Sequence, residues 1–239
     1  MHHSPVSHAT SSAEPVHIEL AGEIIRLLPQ RAAYWPAART MLIADLHLGK
    51  AESFRARGAP LPAEFILESH LTQLDEALGA EPTCERLLIL GDLLHAPTGL
   101  TRPLIERVAA WRELRLSLDV ALVPGNHDRR LDVVVSTWGL RVLGERFREG
   151  PFLFVHQPPG PEDEYIWAGH VHPAVTLRKG CDSVRLPCFH IGPCKAVLPA
   201  FSRFTAGASF DRSSGDRIYA IAEHRVFELP GSRGGRTRP

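Results

Sequence analysis

Five apolar runs in this chain each end in side chains that can hold a divalent metal ion. Met41–Ala44 leads to Asp45-Leu46-His47, Leu87–Leu90 to Gly91-Asp92, and Val120–Val123 to Pro124-Gly125-Asn126-His127-Asp128. Phe152–Val155 leads to His156, and Tyr165–Ala168 to Gly169-His170-Val171-His172. Imidazole and carboxylate together suit Mn, Fe or Zn, and the set holds no cysteine, which argues against a structural zinc site. Two such ions, about 3.5–4 Å apart, clamp a phosphate and generate a bound hydroxide. Asp92, in the middle of the series, is placed to bridge them. Singly, each piece is weak. An Asp-Leu-His ends many strands, a histidine after an apolar run is usually a satisfied buried one, and Gly-Asn-His-Asp makes an ordinary turn. Five of them in this order point to one centre built from Asp45, His47, Asp92, Asn126, His156, His170 and His172.

Such a centre needs a scaffold that gathers the ends of distant runs. Short apolar runs without alternation are what strands buried on both faces look like. Between the first two runs, Pro62–Leu78 carries Leu67, Leu71, Leu74 and Leu78 at helical spacing. Between the next two, Pro103–Leu116 carries Leu104, Val108, Trp111 and Leu114 on one stripe, with Thr101 as the N-cap ahead of Pro103. Leu131–Trp138 predicts a third, shorter helix. Strands alternating with helices make a layered α/β fold, which binds ligands beyond the C-terminal ends of its strands. Val16–Leu20 and Glu23–Leu28 predict a hairpin around Ala21-Gly22. After Pro173 come only short strands, at Val175–Leu177, Val184–Leu186, Ala196–Leu198 and Ile218–Ile221, which predict a second, largely antiparallel sheet packed on the first.

The remaining composition sets bounds. The 239 residues carry 27 Lys and Arg against 27 Asp and Glu, so no whole-molecule field draws the chain to nucleic acid or membrane. The four cysteines form no C-x-x-C pair and read as free thiols. Residues 1–15 lack the apolar segment of a secretory leader, and no apolar run approaches the roughly 20 residues of a membrane helix. The expectation is a cytoplasmic protein with one domain over residues 16–230, between disordered tails at 1–15 and 231–239.

The blocks D-x-H, G-D, G-N-H-D, H and G-H-x-H match without a gap those of the calcineurin-like metallophosphoesterases, which the chain resembles from Met41 to Pro173. The resemblance implies a four-layer α-β-β-α metallophosphoesterase sandwich with a dinuclear centre. Asp45, His47 and His172 would bind one ion, Asn126, His156 and His170 the other, and Asp92 both. It also implies that His127 is no ligand but protonates the leaving oxygen, and imidazole titrates in the right range for that. Asp128 either orients His127 or holds the turn.

The protein serine/threonine phosphatases of this superfamily carry Asp-Arg-Gly after their G-D block. Gly91-Asp92-Leu93-Leu94-His95, with Asp45-Leu46-His47-Leu48-Gly49, resembles the nuclease branch instead. That implies His95 beside His127, handling substrate, although a packing role stays open. A closer resemblance joins Lys50, Phe54-Arg55, Gly58-Ala59-Pro60, Arg185-Leu186-Pro187-Cys188-Phe189 and Leu198-Pro199-Ala200-Phe201 to the bacterial ligase-associated metallophosphoesterases. Ser202-Arg203 departs from that pattern, which expects a small residue first. Members of that family are encoded beside an ATP-dependent DNA ligase and a DEAD/DEAH-type helicase. The resemblance therefore implies DNA as substrate, a place in repair, and those two enzymes as partners. It also implies manganese as the preferred metal, with Fe or Zn permitted by the donors.

Lys50 and Arg55 follow a strand end and would hold phosphates flanking the scissile one. Arg57, Arg129 and Arg130 divide evenly between that role and plain surface charge. Trp138, Tyr165 and Trp167 are the stacking candidates, Trp167 reading rather as core. The function expected is a dinuclear phosphodiesterase or endonuclease of DNA, in which a metal-bridging hydroxide attacks and His127 donates a proton. A small-nucleotide phosphodiesterase or phosphatase, and a non-catalytic docking component of a repair complex, are the alternatives.

Overall fold

A computed structural model describes residues 15–160 and 162–231. The two expected tails, apart from Pro15 and Gly231, lie outside the described residues. The first sheet contains β1 (Val16–Leu20), β2 (Glu23–Leu28), β3 (Ala32–Trp35), β4 (Thr40–Ile43), β5 (Arg86–Leu90), β6 (Asp119–Val123) and β7 (Leu140–Val142), side by side in chain order. The second contains β8 (Arg146–Glu149), β9 (Phe152–Val155), β10 (Tyr165–Ala168), β11 (Ala174–Lys179), β12 (Asp182–Ile191), β13 (Lys195–Val197), β14 (Arg217–Ala222) and β15 (Arg225–Glu228). Its order is β15-β14-β12-β13-β10-β9-β8, with β11 paired to β12. The helices are α1 (Lys50–Arg55), α2 (Ala63–Ala80), α3 (Arg102–Glu113) and α4 (Val135–Trp138). None of them is long and apolar enough to cross a membrane.

β4, β5, β6 and β7 are parallel neighbours, joined through α1 and α2, then α3, then α4. Crossovers of constant hand between successive neighbours put every helix on the same face of the sheet. The two faces of these strands therefore enter two cores. Met41, Ile43, Leu87, Ile89, Val120 and Leu122 pack against Leu67, Leu71 and Leu74 of α2 and Leu104, Val108 and Trp111 of α3. Leu42, Leu88, Leu90, Ala121 and Val123 face the second sheet and meet Phe152, Phe154, Trp167, Phe189 and Ile191. Burial on both sides explains why the runs show no alternation.

The structure is the metallophosphoesterase sandwich, with corrections to its layers. The second sheet begins at Arg146 rather than after Pro173, so the runs ending in His156 and His170 belong to it and not to the first sheet. β9, β10 and β13 are parallel to one another, and the remaining pairings are antiparallel. The fourth layer is not helical among the described residues. All four helices precede Gly139, and Phe210 from the segment before β14 packs on Cys188, Ile218 and Ala220 instead. Thr101 does precede α3, but its side chain makes no cap hydrogen bond, and Leu114 falls beyond the helix end and is 82% exposed.

Candidate metal centre

The parallel register aligns Ile43 with Ile89 and Ile89 with Leu122, so β4, β5 and β6 end level. Beyond the strands the exits of β4 and β5 stay zipped together. Asp45 N donates to Gly91 O (3.1 Å), His47 N to Asp92 O (2.8 Å), and Leu48 N to Leu93 O (2.8 Å). β9 and β10 end level in the other sheet, where Gly169 N donates to His156 O (3.0 Å). Side-chain bonds join the two sheets at this edge. His170 N donates to Asp45 Oδ2 (3.0 Å), and the His156 ring donates from Nδ1 to Leu90 O (3.0 Å).

Two groups of donors result. Asp45, His47 and His172 offer ligand atoms within 4.8 Å of one another, and so do Asp92, His156 and His170. Asp92 faces both: Oδ2 lies 3.9 Å from His47 Nε2, and Oδ1 lies 3.4 Å from His156 Nε2. Asn126 Oδ1 joins the second group, 3.0 Å from His156 Nε2. All seven sequence-predicted ligand candidates therefore meet in one place.

The donors fit cations better than they fit each other. His172 Nε2 lies 3.2 Å from Asp45 Oδ1, yet it is buried without an aligned hydrogen bond among the described residues. His170 Nδ1 and His156 Nε2 face each other at 3.1 Å. Nδ1 of His156 is committed to the Leu90 carbonyl, which leaves its Nε2 a lone pair in the neutral ring. Burial first, then the charge of His156, lowers the pKa of His170. Burial, then His172, Lys50, His95 and His127, pushes His47 down to about 2. Neutral imidazoles beside carboxylates are the form that divalent ions bind.

The backbone is held for this purpose. Asp45, His47, Asp92, His170 and His172 all have positive φ, between 50° and 65°. Such conformations cost on the order of 1–3 kcal/mol each for residues other than glycine, and they cluster where function requires them. Two glycines make room. A Cβ on Gly91, whose φ is +77°, would enter the His156 ring, and one on Gly125 would enter the backbone and carboxylate of Asp92.

His127 stands at the rim. Its backbone N donates to Asp92 Oδ1 (2.9 Å), and its Nδ1 donates to His95 O (2.9 Å). The His95 and His127 rings stack at 5.6 Å and 11°, and Phe54 stacks on His95 at 6.1 Å and 18°. Asp128 makes no bond to the His127 ring. Its Oδ1 accepts from Leu94 N and its Oδ2 from Gly125 N, both at 2.8 Å, so it staples two metal loops together. Of the two roles left open for Asp128, holding the turn is the one its bonds show.

The cations are sorted unexpectedly. Lys50 Nζ is half-buried beside the centre and donates to Thr205 Oγ1 (3.1 Å). Arg55 instead lines a cleft of about 820 Å³ between α1, α2 and α3, which holds none of the metal-site residues. Arg57, not Arg55, is the arginine whose charge reaches His95. Arg130 pairs with Asp132 at 3.6 Å. Trp138, Tyr165 and Trp167 are all buried, so none offers a stacking face. Phe54, to which the sequence pattern assigned no part, is 40% exposed and ends the histidine stack. The departure at Ser202 is absorbed locally, where its buried Oγ meets His70 Nε2 (3.0 Å).

Two sheets joined at a carboxylate–histidine centre define a metallophosphoesterase, and the chain belongs to that family. No family model and no curated protein matches it. Among solved structures it is similar to the nuclease MPE of Pseudomonas putida, with 36% identity over 90% of this chain and 100% of that one, at a TM-score of 0.78. A phosphoesterase of E. coli, Yfce, shares 16% identity over 77% of this chain and 87% of its own, at a TM-score of 0.37. The chain is a hydrolase, a metal-dependent phosphoesterase or nuclease.

Proposed function

We propose that this protein is a dinuclear phosphodiesterase that cuts DNA as an endonuclease, in the service of repair. The observation that carries the reading is Asp92, whose two oxygens face two separate donor groups at the meeting edge of the sheets. Manganese is the metal we favour, and two divalent ions held there would supply positive charge to the phosphate and lower the pKa of the attacking water.

The chain's own residues supply the rest. His127 is tethered at Nδ1, so its free Nε2 is the atom that passes a proton to the leaving oxygen. His95 fixes the plane of that ring from one side and supplies the carbonyl that holds it. Lys50 puts a cation against the same crevice without a carboxylate to cancel it among the described residues. The open face of Phe54 suits an unstacked base, which favours nucleic acid over a small phosphomonoester. The similarity to a nuclease of Pseudomonas putida supports the same choice. Partnership with an ATP-dependent DNA ligase and a DEAD/DEAH-type helicase rests on the family resemblance.

A cleavage panel tests this reading. Nicked, flapped and single-stranded DNA are offered beside cyclic nucleotides and a chromogenic diester, with Mn, Fe or Zn. Cutting of at least one DNA with Mn is expected. Hydrolysis of small esters with none of any DNA would overturn the nuclease assignment.

A further inference from the structure

A second pocket opens beside the metal centre and shares His172 with it. It measures about 200 Å³, and Arg31, Arg185 and Arg203 line it with Thr205 and Gly207. Among the described residues no carboxylate lines it. The three arginines come from the β2–β3 turn, from β12 and from the segment after β13, so the fold alone brings them together.

Their bonds go to neutral acceptors. Arg31 donates to Ala200 O (3.1 Å) and Ser202 O (2.9 Å), Arg185 to Gly207 O (2.8 Å), and Arg203 to Gln73 Oε1 (2.9 Å). Ten of the eighteen other arginines among the described residues pair with a carboxylate. Arg26, Arg86, Arg107, Arg115, Arg146 and Arg148 each have a carboxylate within 2.8 Å. Among the described residues, none of the three pocket arginines has an ion-pair partner. Burial, with the neighbouring charge of Arg203, pushes the Arg31 guanidinium down to about 10. Like charges gathered without a counter-ion repel each other, and an anion placed between them relieves that repulsion. The cavity is smaller than the ~300 Å³ at which pockets begin to enclose whole drug-sized molecules. Its size suits a phosphate, and planar guanidinium forks match phosphate oxygens. Lys50, bonded to Thr205 of the pocket wall, continues the positive track to the metal centre.

We propose that Arg31, Arg185 and Arg203 form an anion subsite that takes the phosphate adjacent to the one being cleaved. This rests on the phosphodiesterase reading of the metal centre and names the part of the substrate that reading leaves unheld. The subsite gives the enzyme a preference for diesters flanked by a second phosphate, whether that is a backbone diester or a terminal monoester.

The test compares kcat/KM on matched substrates with the metal-loaded protein. One is a thymidine dinucleotide with a single diester. The others carry one more phosphate, as a 3′ monoester, a 5′ monoester or an added nucleotide. In the unsubstituted protein, a flanking phosphate on one side is expected to raise kcat/KM about tenfold, the size of one charge-assisted contact. Arg203→Ala and Arg185→Ala, both at exposed positions, should bring that ratio towards one, chiefly through KM. They should also flatten the salt dependence of oligonucleotide binding by about 0.7 in log–log slope per arginine removed. If the arginines only hold the 200–207 segment, both substrates lose rate together, the ratio survives, and the subsite is overturned. A flanking-phosphate ratio of one in the unsubstituted protein overturns it too. Failure to hydrolyse any diester, the chromogenic one included, with Mn, Fe or Zn removes the parent reading and the subsite with it.

Discussion

At the scale of single residues, His127 and its neighbour do different work. The His127 ring is tied at Nδ1 to the His95 carbonyl, so a delivered proton leaves from Nε2. His127→Ala is therefore expected to lower kcat by about 100- to 10,000-fold on a diester with an alkoxide leaving group. The loss should be far smaller with p-nitrophenolate, which leaves without protonation. Equal losses on both would remove the proton donor's role. Asp128 instead accepts two backbone N–H groups with its two oxygens. Asp128→Asn sets an amide NH₂ against one of those donors. It should cost about 1–3 kcal/mol in urea unfolding while sparing the leaving-group dependence. The ligand types and their order were legible in the sequence because each ended an apolar run. The side chains lining the crevice were less so. Arg55 was expected there with Lys50, but the helix begins at Lys50, and five residues at 100° each turn the second side chain about 140° from the first. The run-ends gave no sign of that helix. The histidine stack was half legible, since resemblance implied His95 beside His127, while nothing in the pattern assigned a part to Phe54.

At the scale of elements, the centre depends on strand ends that stop level and on backbone packed against the ligands. Gly91→Ala drives a Cβ into the His156 ring at a position with positive φ. The variant should fold and lose the ion that Asp92, Asn126, His156 and His170 would hold, seen as a fall towards one Mn per chain in metal analysis. A full complement of two would show that the packing is not required. α2 meets the segment after β13 through His70, whose Nε2 lies 3.0 Å from Ser202 Oγ. Burial, then Arg31, Arg203 and Lys50, pushes His70 down to about 4 from 6.5. The unfolded chain thus binds a proton at His70 before the folded one does. The His70 contribution to stability is lost as pH falls below 6.5 and is gone below about 4. That loss is on the order of 3 kcal/mol, and His70→Asn should flatten the thermal midpoint across this window relative to the unsubstituted protein. The assignment of strands to sheets was the least legible feature. Phe152–Val155 and Tyr165–Ala168 look like the earlier parallel strands because they too are buried on both faces. Periodicity reports burial, not which sheet a strand joins. The short β7 and β8, which lead from one sheet into the other, carry too few buried residues to stand out.

At the scale of the whole molecule, a net charge of zero concealed a sorted surface. Ten arginines sit beside carboxylates, whereas Lys50, Arg31, Arg185 and Arg203 gather at the metal centre without them among the described residues. Counting charges along the chain cannot show this, because the pairs and the exceptions are both made by the fold. The same centre concentrates cost, since five candidate ligands hold left-handed backbone conformations and their donor atoms converge. Ions bound there should repay that cost as stability. Stripping the protein with a chelator is expected to lower its thermal midpoint, and restoring Mn at 100 times its Kd should return about 2.7 kcal/mol per site. A midpoint indifferent to metal would mean that the groups do not bind. The central claim, one phosphodiesterase centre made for two ions, is tested most directly by titrating chelator-stripped protein with Mn while following hydrolysis of a chromogenic diester. The account predicts that activity is absent at the start and saturates at two ions per chain. Full activity at one ion, or in the stripped protein, would contradict it.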